Sequence, residues 1–470
     1  TLSVSLVFWH FTRDTYSEPL VTLVLILALL QVDVALRTGS TRRWMLAAAL
    51  TGGTVLVRID AWLYVLVFCG LLVVWTFAQD PERMSTRTAV GSIGAAWIIG
   101  LIGLADLRFF STRYLEDLAE RFVPMFVLAT IVTVGALVLL SLRQPLTTPY
   151  RAVIEWVAGS GRWVPWFAAA AVIAFAVFVV VIRPSAFPDA GDPAGLVIGL
   201  AEAEGIDGAG RSFYELAGRW LTWYWGIPGV VVAVIGWSLL IVVQGYRDRA
   251  GLSFGAALMG FAMVPYLIRP SITPDQIWAM RRFYPMALLG MAFVIGFVLE
   301  WIRRSGRLNQ PVRWTLVSAT GLAVVVVPLV FATPLVSTST QVGMYGSTQG
   351  LCSALPDNAV VVTEAGRMRW IFPAAIRSFC EVPVASLTGD ATDVDIAMLS
   401  DAWADEGREL MVVASVDSCV AIDDEVARSD FRFTRAERTL LRRPSAEESE
   451  RFSWRLASAG DASIEGCQEP

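Results

Sequence analysis

The sequence predicts a polytopic α-helical membrane protein with ten full spans, a partial first one, and a small extracytoplasmic α/β domain at the C-terminal end. Three observations predict it. First, the chain is 55% hydrophobic and only 17% charged, and the apolar residues are bunched. Runs such as WFAAAAVIAFAVFVVVI and LAVVVVPLVF hold no charge and have the length of membrane spans. Second, charge divides along the chain. Residues 1–334 hold 25 Arg and 20 acidic residues, and residues 335–470 hold 12 Arg and 22 acidic residues. Third, four of the five cysteines lie in the acidic C-terminal part. The predicted domains are therefore 1–334, transmembrane and helical, and 335–470, extracytoplasmic.

The expected spans are 1–11 (partial), 19–36, 44–57, 60–77, 88–104, 122–142, 163–182, 223–243, 252–268, 283–302 and 314–334. Segment 44–57 is the weakest, being short and interrupted by Gly52 and Gly53. The chain opens with Thr inside the apolar stretch SLVFWHF, without the basic start or cleavage site of a signal peptide. It is expected to be N-terminally truncated, beginning part-way through a span. All cationic side chains are Arg, which with abundant Ala, Val and Gly points to genome composition rather than function.

Orientation follows from the loops. Loops 37–43, 78–87, 143–162, 244–251 and 303–313 hold 14 Arg in short segments. Loops 12–18, 58–60, 105–121, 183–222 and 269–282 hold 11 over longer ones. The positive-inside rule puts the first set in the cytoplasm of a plasma-membrane protein and the C-terminal domain outside. Cys352, Cys380, Cys419 and Cys467 would then be in a disulfide-permissive compartment, with Cys69 in a span. Sequence order favours Cys352–Cys380 and Cys419–Cys467. Three pairings are possible, and buried free thiols are the alternative.

In the C-terminal domain NAVVVTEA, VPVASL and RELMVVAS have the pattern of buried strands. They alternate with the amphipathic GRMRWIFPAAIRSF and with DVDIAMLSDAWADEG, a helix stopped by Gly407. FRFTRAERTLLRR and RFSWRLAS are expected to close the sheet as a hairpin. The domain shows no phosphate-binding glycine loop, metal-ligand cluster or nucleophile motif, which favours a stabilising or partner-binding cap.

The chemistry-bearing residues concentrate in three outer loops. FTRDTYSEPL places Arg13, Asp14, Tyr16 and Glu18 at a membrane surface, with Pro19 opening the next span. On a helical turn Asp14 and Glu18 share a face. LVRIDAWLY sets Arg58 and Asp60 into an apolar stretch. RPSITPDQIWAMRRFYPM carries Asp275, Arg281 and Arg282, the arginines lying against the positive-inside trend. Each loop also has an ordinary explanation in helix capping, a local ion pair or attraction to headgroups. The long loop 183–222 ends in GRSFYELAGRWLTWYW, which suits an interfacial helix. His10 is the single histidine, which excludes a His-based metal site or triad.

Together RDTYSEPL, LVRIDAWL and PDQIWAMRRFYP resemble the GT-C superfamily of integral-membrane glycosyltransferases. These include protein O-mannosyltransferases, aminoarabinose transferases of lipid A and similar actinobacterial membrane proteins. The order of the motifs on one membrane side carries the resemblance more than any single motif. It implies a bundle of eleven to thirteen spans with its active site at the outer face, and a polyprenyl-phosphate-linked sugar as donor. It implies an acidic base in a first outer loop that would precede this chain. In that scheme Asp14 and Glu18 are the catalytic candidates, binding acceptor or positioning the base. Arg281 and Arg282 hold donor phosphate, and Arg13, Tyr16, Arg58, Asp60 and Asp275 line the substrate cavity. The partners would be the lipid-linked sugar donor, the bilayer and an acceptor of unspecified kind, with no nucleic acid. No cofactor is expected, and a divalent metal stays open. A transporter or lipid flippase, and a noncatalytic scaffold with a partner-binding outer domain, are the competing expectations.

Overall fold

The computed structural model describes residues 5–13, 17–78, 84–143, 146, 163–191, 195–208, 210–243, 250–338, 342–365, 368–389, 391–416, 418 and 420–464. The chain forms two compact units. One comprises Thr1–Val336 with Arg438–Pro444, and the other Ser337–Glu437 with Ser445–Pro470. The short segment 438–444 thus belongs to the first unit, although it connects two strands of the second. A single boundary near residue 335 does not anticipate this.

The first unit is helical. Its elements are α1 (Leu6–Arg13), α2 (Ser17–Thr38), α3 (Thr41–Gly53), α4 (Trp62–Ala78), α5 (Thr86–Phe110), α6 (Thr112–Asp117) and α7 (Ala119–Ser141). Next come α8 (Trp163–Val177), α9 (Gly195–Ala203), α10 (Ala217–Val242), α11 (Ala250–Ile268), α12 (Leu289–Arg304) and α13 (Gln310–Ala332). Among the described residues nine helices are long and apolar enough to cross a membrane. The protein is therefore a multi-pass membrane protein.

Two expected spans are not among the nine. Segment 1–11, expected only as a fragment, contains the start of α1, which runs on to Arg13. Segment 44–57 gives the thirteen-residue α3 and a 3₁₀ turn, Thr54–Leu56. At 1.5 Å per residue α3 is about 20 Å long, short of a bilayer core. Its small residues serve packing instead. A Cβ at Gly52 would collide with the carbonyl oxygen of Ala96, so the backbones of α3 and α5 touch there.

The aromatic stretch 210–225 also departs from expectation. It forms no separate interfacial helix. Most of it is the beginning of α10, and Trp220, Tyr224 and Trp225 are fully buried. Gly226, at φ 72° and ψ 160°, breaks the helical run just before Pro228. That conformation is open to glycine and costly for other residues. The kink lets the aromatic turns sink into the bundle while the apolar remainder continues as a span.

Large aromatic side chains fill the helical core. Trp62 lies 4.8 Å from Trp97 and 4.9 Å from Phe126, ring centre to ring centre. Trp44, Phe68 and Trp75 surround Phe254 at 5.8, 5.6 and 5.2 Å. Arginines satisfy carbonyls at helix ends, where the intrahelical donors run out. Arg143 donates to Thr76 O at 2.6 Å and Met84 O at 3.1 Å. Arg183 donates to Leu267 O at 2.8 Å and Ile268 O at 2.7 Å, at the end of α11.

The second unit contains α14 (Met344–Ala354), α15 (Met368–Phe379) and α16 (Asp393–Ala404). Its strands are β1 (Ala359–Thr363), β2 (Val384–Ser386), β3 (Glu409–Ser415), β4 (Val420–Ile422), β5 (Ala427–Ala436), β6 (Glu447–Ser458) and β7 (Ala462–Ile464). The main sheet has the order β2-β1-β3-β6-β5, and β4 pairs with β7 separately. β2, β1 and β3 are parallel, while β6 runs antiparallel to both β3 and β5. Every residue of β1 is buried, as a strand covered on both faces requires. Val361, Met411 and Val413 pack with Phe372 and Ile376 of α15 on one face. Val360, Val362 and Val412 pack with Ile396 of α16 on the other. The predicted small α/β domain is present, and the hairpin strands begin earlier than the sequence suggested. Cys352 and Cys380 form a disulfide that joins α14 to the end of α15. Cys69 is a buried free thiol. The expected partners Cys419 and Cys467 lie outside the described residues.

Candidate functional site

Glu18 is the second residue of α2, one position before Pro19, and its side chain is fully buried. A carboxylate suits a helix N-terminus, where the dipole is positive and backbone N–H groups lack partners. Asp60 sits in the 3₁₀ turn Ile59–Ala61 that leads into α4, with Arg58 just before it. Arg281 and Arg282 end the 3₁₀ turn Trp278–Arg282, which passes through the π-helical turn Tyr284–Leu288 into α12. Two cations entering a helix N-terminus oppose its dipole. Carboxylates from elsewhere in the fold offset them.

The structure brings these five residues into one network. Arg58 pairs with Glu18 through Nη1, and with Asp60 through Nε and Nη2, both at 2.9 Å. Arg281 Nε donates to Glu18 Oε1 at 2.6 Å. Arg282 Nη1 pairs with Asp60 Oδ2. Glu18 thus joins two guanidiniums that stand 40 and 263 residues away in sequence. The arginine side chains are 13–19% exposed, so the network is largely desolvated. Such pairs are strong only when each carries its full set of hydrogen bonds.

Three side chains complete the arrangement. Tyr266 of α11 donates its hydroxyl to Asp60 Oδ2 at 3.2 Å. Ser17 Oγ accepts from Arg58 at 3.3 Å. The Arg281 guanidinium lies 4.0 Å from the Trp278 ring centre, in cation–π geometry. Tyr266 escaped sequence reasoning because a tyrosine near the end of an apolar helix is ordinary at a membrane interface. Nothing local marks it as a partner of Asp60, 206 residues away.

The remaining candidates fall elsewhere or outside view. Asp275 is buried and faces Arg438, Oδ2 to Nε at 3.9 Å. Its neighbour Gln276 accepts from the Tyr224 hydroxyl at 3.0 Å. The main chain of Gln276 donates to Thr439 O at 2.8 Å. Asp275 therefore belongs to a site that includes segment 438–444, which no local feature of the chain places there. Arg13 ends α1, and its side chain lies outside the described residues, as do Asp14 and Tyr16 altogether.

Among the described residues the network holds three guanidiniums and two carboxylates. Arg282 Nε is buried there without a hydrogen-bond partner. Burying an N–H of a charged group without an acceptor is unfavourable, and an incoming anion would relieve it. No group of three or more His, Cys, Asp or Glu side chains able to hold a metal occurs among the described residues. Compared with known proteins, the chain matches no family model, no curated protein and no solved structure.

Proposed function

We propose that this protein is a membrane glycosyltransferase of GT-C type. In this reading it moves a sugar from a polyprenyl-phosphate-linked donor to an acceptor hydroxyl at the extracytoplasmic face of the plasma membrane. The observation that supports it is the Glu18–Arg58–Asp60–Arg281–Arg282 network, which gathers three guanidiniums in a poorly solvated place and, among the described residues, leaves Arg282 Nε without a hydrogen bond. A phosphate ester leaving a sugar develops negative charge, and preorganised arginines in a poorly solvated site stabilise that charge most. The site lies at ends of apolar helices, where a lipid-anchored phosphate would present itself. Glu18 and Asp60, each engaged by two arginines, hold the guanidiniums in place. Asp14, four residues before Glu18 in sequence, is the remaining candidate for contact with the acceptor.

The test is donor binding. Purified protein in nanodiscs should bind a polyprenyl-phosphate sugar, and Arg282→Gln should weaken that binding roughly tenfold or more, the value of a charge-assisted pair. Unchanged affinity in a folded variant would make the network structural and overturn the reading. A transporter is the second reading. It is favoured by the interruption of span α10 at Gly226, since broken helices build substrate paths. Substrate flux across proteoliposomes without sugar transfer would select it.

A further inference from the structure

A second feature of the helical unit is independent of that network. α8, α10 and α11 enclose an apolar groove of about 550 Å³, lined by residues such as Ala171, Phe175, Val234, Trp237 and Val264. Along α10 the groove runs from Gly218 to Ile241, about 35 Å at 1.5 Å per residue, enough to cross a bilayer core. α8 is barely covered by protein, with 11% of its span buried. The groove is therefore a slot in the lipid-facing surface, shaped for a chain.

One end of this slot is cationic. Arg219, in the first turn of α10, donates Nε to the carbonyl of Val180, a groove residue, at 3.2 Å. Its Nη2 reaches Ser185 Oγ at 3.3 Å. Ser185 lines a neighbouring pocket of about 420 Å³ together with Asp189 and Arg211. Two other arginines beside it carry carboxylate partners. Arg183 pairs with Asp189, and Arg211 pairs with the buried Glu215 at 2.6 Å. Arg219 has no carboxylate partner among the described residues, and Arg211 Nε is buried without a hydrogen bond. An apolar slot of bilayer length thus ends at a half-buried guanidinium that has no carboxylate partner among the described residues.

We propose that this groove binds an anionic glycerophospholipid, with an acyl chain between α8 and α11 and the phosphate on Arg219. Guanidinium presents paired N–H donors to phosphate oxygens, and the charges are complementary. The chain gains close packing along a surface that would otherwise meet only mobile lipid.

Native mass spectrometry of the full chain, released from phosphatidylcholine nanodiscs containing a minor fraction of phosphatidylglycerol, tests the assignment. Phosphatidylglycerol should be retained preferentially. Arg219→Gln should weaken retention roughly tenfold, with Arg219→Lys keeping most of it. Ala171→Trp, at an exposed position on the groove wall, should reduce retention by filling the slot while leaving Arg219 intact. Three results would each overturn the proposal. They are equal retention of the two lipids, retention unaffected by either Arg219→Gln or Ala171→Trp, and displacement of phosphatidylglycerol by an equal amount of polyprenyl phosphate. Arg58, Arg281 and Arg282 are untouched in these variants, so the outcome is separate from that of the donor-binding test.

Discussion

Glu18→Gln isolates what the buried network contributes. The substitution keeps the shape of the side chain and removes its charge. In the native protein Glu18 is fully buried and accepts from Arg58 and from Arg281, the latter at 2.6 Å. Each charge-assisted hydrogen bond is worth about 1.5–3 kcal/mol, and two are weakened together. Removing one partner of a buried ion pair costs about 3–5 kcal/mol, because the opposite charge stays behind in a desolvated place. We therefore expect Glu18→Gln to destabilise the helical unit by about 3–5 kcal/mol. One negative charge is lost beside Arg58 and Arg281, so affinity for a phosphate-bearing ligand should rise in the folded fraction. Asp33→Asn is the control. Asp33 pairs with Arg37 at 2.9 Å on an exposed helix face, with side chains 36% and 72% exposed. Such a pair contributes about 0.3–0.5 kcal/mol. Thermal unfolding in detergent, followed by loss of ligand binding and by exposure of the buried Cys69 to a thiol reagent, reads both variants on one scale. A Glu18→Gln protein as stable as Asp33→Asn would refute the reasoning, because it would mean that water or another group already satisfies Arg58 and Arg281.

Three further outcomes follow from other parts of the molecule. The Cys352–Cys380 bond closes a separation of 28 residues, so replacing both cysteines with serine should destabilise the second unit by about 3.5 kcal/mol on the chain-entropy estimate, seen as faster amide exchange in β1 and β3. Gly52→Ala should cost about 1–3 kcal/mol and separate α3 from α5, because the new methyl meets the Ala96 backbone; a crosslink between cysteines placed on the two helices should form more slowly. Asp395 accepts from the Thr392 hydroxyl and N–H at the start of α16, and these bonds hold its carboxyl below the usual aspartate value. That stabilisation is complete above the unfolded-state value and is lost as pH falls through the lower folded-state value. Asp395→Asn should therefore abolish the acid-dependent fraying of α16 in amide exchange, leaving it equally frayed at neutral pH.

Much of the architecture follows from local features of the chain. An apolar run long enough to span a bilayer must form a helix, because hydrocarbon offers no partner for free backbone groups. The spans at 19–36, 60–77, 122–142 and 314–334 are legible for that reason. So is the α/β unit, where β-branched runs alternate with amphipathic ones and Gly407 takes the left-handed conformation past the end of α16. The charges at 18, 58, 60, 281 and 282 stand out because ionisable residues beside apolar runs are costly unless paired.

Which charge meets which is another matter. The contact of Arg281 with Glu18 crosses 263 residues, and that of Tyr266 with Asp60 crosses 206, so neither leaves a trace in any local window. The same holds for segment 438–444, which its neighbours in sequence assign to a sheet and its hydrogen bonds to Glu204 and Gln276 assign to the helical unit. The close approach of α3 to α5 at Gly52 and the burial of Trp220 and Trp225 beside the bend at Gly226 are specified only by the packed neighbours. Hydrophobicity acts residue by residue and can be read from the chain. Charge pairing and shape depend on which surfaces the folded helices present to one another, and these the tertiary structure alone decides.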